Sequence, residues 1–555
     1  MPGARDLLRR SDRDRPRWPV IPVAALLFAV AAVLGVMANN LSQTSFADVA
    51  PSLGGSLAFA LLAWGAVALL RRRADAATAA IAALWVAGSL FYLGLFGWLN
   101  ARLGGGYPMT RPLPVALAAL LGASLALHRW PRAAAPLHTV LGAIALVMAA
   151  TPLWQAATFE LRNGGARAAY DADAAALALP EPAAPDAGAP RPPDIYHFVF
   201  DRYGSEDTLL RHYGTEAPIY GFLEDQGFYV ARGSRSNYNR TAHSLASTFY
   251  MDYLGFLASD PRVDGANWQA LYPMLDDHRA ARFLRARGYE VLQWGSWWVG
   301  TYRNPAAARN RPHGFSEFGM VYLRRTALRP LFHLLPDTPL TMRLDWDNAQ
   351  CQRVAAQVEE IKALAGQAGE RAREGSAPVY VFAHILVPHG PEVFTRDGGC
   401  LSLDEWVERG ERQGYVDQVA YADRIIEELV AALKAEGQPP PAILIQADEG
   451  PFPPRDSRVP WQDASPEELR IKTGILNAYF FPNGDYGQLR PDITPVNSYR
   501  ALFNAEFGTN FPLLPDRTFV FPDDRRLYEF HDVTSLVRAG PAIPGGEGSG
   551  SPPVR

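Results

Sequence analysis

Three apolar runs in the C-terminal part of the chain each end in groups able to do acid–base or metal chemistry. "IYHFVF" is followed by Asp201, "VYVFAHIL" by Pro388 and His389, and "AILIQA" by Asp448 and Glu449. Taken singly, an aspartate after a strand-like run is an ordinary turn former. Taken together, two aspartates and a glutamate supply hard oxygen ligands for a divalent cation. Adjacent carboxylates at a buried edge repel each other unless a cation or protons neutralise them. The imidazole adds a group that can move a proton.

A nucleophile is expected at Thr241, the first residue of the helix-like stretch "TAHSLASTFYMDYL". Its hydroxyl could serve as a plain N-cap. The same position also lies in the positive potential of a helix N-terminus, which stabilises an alkoxide and a transferring phosphoryl group. Arg240 and His384 are further candidates for holding an anionic substrate, each equally readable as a solvated or structural residue.

These groups must be positioned by a scaffold. From residue 194 to 538 the chain alternates strand-like runs ("IYHFVF", "GFYVAR", "YEVLQWG", "VYVFAHIL", "AILIQA", "GILNAYFF") with amphipathic stretches such as 276–287 and 415–436. That alternation predicts an α/β sandwich, in which ligands bind outside the carboxyl ends of the strands. Residues 157–193, Ala/Pro-rich from 163 onward, read as a linker, and 539–555, rich in Gly, Pro and Ser, as a disordered tail. Cys351 and Cys400 are the only cysteines; one disulfide and two buried thiols both remain open. The aromatic run "WGSWW" at 294–298 reads as either a groove lining or core.

The first part of the chain is of another kind. After a cytoplasmic N-terminus at 1–18, apolar segments near 19–38, 51–70, 76–98, 113–128 and 136–156 predict a five-helix transmembrane region over 19–156. Arg5, Arg9, Arg10, Arg13, Arg15 and Arg17, then Arg71, Arg72 and Arg73, then Arg129 and Arg132 mark alternate loops as cytoplasmic. An odd number of spans places residues 194–538 outside the cytoplasm. The expected location is a bacterial inner membrane, multi-pass, with the large domain extracytoplasmic.

In order and content, "DIYHFVFDRYG", "FLEDQGFYVARGSRSNYNRTAHSLAS", "HILVPHGP" and "IQADEGP" resemble the sulfatase-like branch of the alkaline phosphatase superfamily. The resemblance extends to the membrane-anchored phosphoglycerol and phosphoethanolamine transferases within it. It implies an N-terminal all-α membrane bundle followed by an α/β sandwich of that type. It further implies Asp201 and Asp448 as metal ligands, Thr241 as both ligand and nucleophile, and His389 as the imidazole at the substrate phosphate or leaving group. Glu449 departs from the pattern, which has histidine there; as an oxygen ligand it would give the site more negative charge and a harder preference.

The function implied is a metal-dependent transfer of a phospho-alcohol head group from a phospholipid donor to an envelope glycan or lipid acceptor. One divalent ion, zinc or manganese, is expected, with the membrane as a partner and no nucleic acid. No C/S-x-P-x-R motif follows the first strand, which disfavours sulfate-ester hydrolysis. A phosphoester or sulfoester hydrolase and a catalytically inactive envelope binding protein stand as alternatives, the latter because of Glu449.

Overall fold

The computed structural model describes residues 19–165, 191–335, 349–401 and 403–538. The arginine-rich N-terminus, most of the Ala/Pro-rich linker and the C-terminal tail lie outside the described residues. The chain forms two units, Met1–Glu160 with Phe318–Thr341, and Leu161–Glu317 with Met342–Arg555. The first unit therefore takes in a segment that the sequence assigns to the extracytoplasmic domain.

In the helical unit, α1 (Val23–Ala38), α2 (Phe46–Arg71) and α3 (Ala76–Leu90) pack against one another, and α5 (Leu113–Arg129) packs on α3. Between them, α4 (Tyr92–Arg102) continues α3 after a bend of 62°. The unit ends in α6 (Ala134–Asn163). Small side chains set the packing: Ala25, Ala29, Ala32, Ala82 and Ala83 are buried at the helix contacts, as close approach without a hydrophobic drive requires. Among the described residues, only α2 and α6, the latter with its preceding turn, are long and apolar enough to cross a membrane, or three spans if α3 and α4 count as one. The expected segment 76–98 is thus two helices, and α1, at 16 residues, falls short of the ~20 that span hydrocarbon.

The second unit is built on a seven-stranded sheet. Its strands are β1 (Ile195–Phe200), β2 (Tyr229–Val230), β3 (Glu290–Trp294), β4 (Arg309–Asn310), β5 (Val379–Ile385), β6 (Ala442–Gln446) and β7 (Asn477–Phe480), in the order β2-β7-β6-β1-β5-β3-β4. β1 lies at the centre, parallel to β5 and β6. Helices cover both faces, so the strands carry apolar residues on both sides. Ile195, Val199, Phe382 and Leu444 face one core with Leu245 and Phe249 of α7 (Thr241–Tyr250) and Phe283 of α8 (Arg279–Arg285). Phe198, Phe200, Val381, Ile385 and Ile445 face the other, with Val358 of α9 (Ala349–Gly366) and Ile426 of α10 (Glu411–Leu433). The result is an α/β sandwich, with all six sequence-predicted strands present and β4 added at one edge. Cys351 and Cys400 form a disulfide.

Candidate active site

The carboxyl ends of the three central strands meet at one place. Asp201 follows β1, His384 sits in β5 opposite Val199, and Asp448 lies two residues beyond β6. All three are buried, and their ligand atoms lie within 4.8 Å of one another. His384 Nε2 is 3.1 Å from Asp201 Oδ2, while its Nδ1 is 2.8 Å from the Thr301 hydroxyl, so both ring nitrogens are fixed. His384, expected to contact substrate, is here part of the acidic cluster.

Thr241 is the first residue of α7, and Arg240 occupies the N-cap position. The threonine hydroxyl is therefore not the cap; it lies beside Asp448, close enough to favour that carboxyl's charged form. Arg240 lies over the Phe452 ring and pairs with Asp524 at 3.4 Å. His389, partly buried, holds the Gly390 carbonyl through Nδ1 and meets Trp297 edge-on. The aromatic run divides accordingly. Trp294 is in the core, whereas Trp297 and Trp298 stand against His389 and His384.

Glu449 does not join the Asp201–His384–Asp448 group. Its Oε1 accepts from Lys472 Nζ at 2.7 Å and from Arg202 Nε at 3.2 Å. The backbone dictates this. Gly450 N–H donates to the Lys472 carbonyl at 2.8 Å, and a Cβ on Gly450 would come within 2.2 Å of the Ile471 carbonyl oxygen. Only glycine lets the Asp448–Gly450 loop lie this close to the end of α11 (Pro466–Thr473). Arg202 is in the left-handed region at φ 64°, and its N–H donates to Asp448 Oδ1 at 3.2 Å.

The charges are unequal. Three buried carboxylates, Asp201, Asp448 and Glu449, face two cationic side chains, Arg202 and Lys472. Burial, then the neighbouring charges of Asp201 and Glu449, pushes Asp448 up to about 7. Burial would raise Asp201 too, but His389, His384 and Arg202 outweigh it and hold Asp201 well below the usual carboxylate range. Burial pushes His389 down to about 4 and Lys472 down to about 7, the Glu449 charge opposing the latter. Asp201 Oδ1 and Asp448 Oδ2 are buried without a hydrogen-bond partner. Two buried carboxylate oxygens without hydrogen bonds, an imidazole and a nearby hydroxyl are a donor set that fits one divalent cation.

Sequence reasoning does not find Lys472, Arg202 or Thr301. Arg202 adjoins Asp201 in "DRYG", but nothing in "RIKTG" distinguishes Lys472 from a solvated helix residue.

No protein-family model matches the chain, and no curated protein does. Among solved structures it is similar to the C-terminal periplasmic domain of EptC from Escherichia coli, at 13% identity and a TM-score of 0.36, covering 67% of this chain and 99% of that one. It is similar to the periplasmic domain of phosphoethanolamine transferase EptC from Campylobacter jejuni, at 11% and 0.36, covering 59% and 92%. It is also similar to the integral membrane lipooligosaccharide phosphoethanolamine transferase A from Neisseria meningitidis, at 14% and 0.35, covering 87% and 95%. Likeness of this size says nothing about residue roles, which rest on the site's own geometry.

Proposed function

We propose that this chain is a membrane-anchored, sulfatase-like transferase that moves a phospho-alcohol head group from a phospholipid to an acceptor in the cell envelope. The observation that carries this reading is the placing of Thr241. Its hydroxyl stands at the start of α7, on Asp448, beside a buried acidic cluster with unpaired oxygens. A nucleophile at a helix N-terminus beside a cation site suits attack on an anionic phosphodiester.

Asp201, Asp448 and His384 would hold the ion, with Thr241 at its edge. When bound, it supplies positive charge for the phosphoryl oxygens and lowers the pKa of the hydroxyl. In the first step Thr241 Oγ loses its proton and bonds to phosphorus, and the bond from phosphorus to the lipid's glycerol oxygen breaks. That oxygen takes up a proton to leave as diacylglycerol. His389, held neutral by burial and lying beside Asp201, is the residue that takes this proton from Thr241 Oγ and passes it on. A hydroxyl or amine of a glycan or lipid then resolves the phosphothreonine ester. Arg240, over Phe452 at the N-cap of α7, would hold the substrate's charge.

Glu449 supports a single ion. Its carboxylate is engaged by Lys472 and Arg202, so a cationic side chain already balances it. The same feature favours the inactive reading, and the experiment separates them. Full-length protein in lipid nanodiscs, loaded with zinc or manganese, is given a phospholipid labelled in its head group. Diacylglycerol release with the label held on Thr241 is expected, and Thr241→Ala gives neither. Free phospho-alcohol without an acceptor product indicates a hydrolase. Absence of both adduct and diacylglycerol with either metal overturns the enzyme reading.

A further inference from the structure

Between its two stretches in the second unit the chain returns to the helical unit at Phe318–Thr341. The helix Glu317–Leu323 buries Phe318 and Tyr322 among residues of α1, α2 and α3. The Tyr322 hydroxyl and Ser56 Oγ of α2 are 2.6 Å apart and buried. A polar pair within an apolar bundle fixes where the segment sits along the helices.

A few residues later the segment meets the bend between α3 and α4. Ala327 N–H donates to the Ser89 carbonyl at 2.7 Å, and Leu93 N–H donates to the Arg325 carbonyl at 3.2 Å. Ser89 and Leu93 flank the 62° bend, where the helical ladder is interrupted. Residues 325–327 thus satisfy backbone groups that lipid could not. The 15 residues of α3 rise about 22 Å from the Arg71–Arg73 side, short of the ~30 Å hydrocarbon thickness. Counted from that side, the bend would lie about 8 Å short of the far edge of the hydrocarbon.

We propose that the segment Leu328–Leu335 seats in the boundary between hydrocarbon and headgroups of a phospholipid bilayer. Leu328, Leu331, Leu334 and Leu335 are 44%, 41%, 60% and 49% exposed. Four bare leucines in eight residues mark an interaction surface rather than a wetted loop. Arg324 and Arg325 precede the stretch and Arg329 lies in it; long cationic side chains of this kind suit a headgroup boundary, their stems on apolar surface and their heads at its polar side. The surface continues that of α4, joined to it through the Leu93–Arg325 bond, where Leu95, Trp98 and Leu99 are exposed. Tryptophan at such a boundary is the usual arrangement.

The inference rests on the reading of the long apolar helices as membrane spans, and one measurement separates the two. Nitroxide labels are placed, one at a time, on Leu331→Cys, Leu334→Cys, Leu62→Cys in α2 and the exposed Asp397→Cys, in full-length protein in nanodiscs of phosphatidylethanolamine and phosphatidylglycerol. Accessibility to dissolved oxygen relative to an aqueous nickel chelate reports depth. The ratio at 331 and 334 is expected to exceed that at 397 several-fold and to fall below that at 62. A high ratio at 62 with ratios at 331 and 334 equal to that at 397 overturns the inference alone. A low ratio at 62 overturns the spans and the inference together. The two leucine positions are independent and exposed, so a folding defect in one variant leaves the other to decide.

Discussion

The Glu449 carboxylate and the Lys472 ammonium lie 2.7 Å apart, both almost wholly shielded from solvent. Glu449 stands beside Asp448 yet is turned to the opposite partner, so adjacent acids on one loop serve different neighbours. Desolvating such a pair is costly; Lys472 and Arg202 both hold Glu449 Oε1, while Oε2 is buried without a hydrogen bond. Removing one partner leaves the other charge buried. Lys472→Met is expected to destabilise the second unit by about 3–5 kcal/mol, at the lower end because Arg202 still contacts Glu449. Pairing it with Glu449→Gln should recover most of the loss. Thermal transitions of the purified protein, single against double variant, check this; equal losses in both would show that the pair is not coupled.

Gly450 is what permits that arrangement. A methyl group there meets three backbone carbonyl oxygens, those of Ile471, Lys472 and Gly474, none of which is a flexible side-chain end. Gly450→Ala should push the loop outward, breaking the Gly450–Lys472 backbone bond and moving Asp448 away from Thr241. The expected result is loss of zinc binding by titration, with the far-ultraviolet spectrum of the folded chain retained. Unchanged zinc affinity would show that the loop adapts without moving Asp448.

Much of this scaffold is legible in the sequence, for a physical reason. Strands such as "IYHFVF" and "AILIQA" are buried on both faces and read as continuous apolar runs, and the residues just past them mark the site edge. His384 is harder to place. It lies inside a strand, where period-two alternation says which face it takes but not that Asp201 waits beside it. Lys472 is illegible because its partner is distant in the chain and the turn that joins them depends on backbone contact at Gly450. The stretch 318–335 is hidden because its apolar run is far shorter than a membrane span, and its burial depends on a helix break that hydropathy alone does not reveal.

The Cys351–Cys400 disulfide closes a loop of sequence separation 49 and links α9 to the loop that follows β5. A cross-link of that length stabilises by about 4 kcal/mol on chain-entropy grounds. Reduction and alkylation under native conditions should lower the unfolding midpoint of the second unit and increase proteolysis between residues 392 and 410. If the midpoint is unmoved, the loop is already ordered without the bond.

A buried carboxyl away from the metal cluster offers a clean pH test. Asp423, on α10, accepts a hydrogen bond from the Tyr203 hydroxyl, and burial raises it from the ordinary 3.8 to about 7, with Glu427 adding to the rise and the Tyr203 bond opposing it. A raised folded-state pKa means that the folded chain binds the proton more tightly than the unfolded chain. The stabilisation is fully present below pH ~4 and is lost as the pH climbs through about 7. A rise of that size is worth roughly 4 kcal/mol at most. Asp423→Asn keeps an acceptor for Tyr203 but cannot ionise. It should resemble the native protein near pH 4.5 and be more stable at pH 8, so that the two urea midpoints diverge as pH rises. Parallel midpoints across that range would mean that Asp423 keeps its ordinary ionisation in the fold.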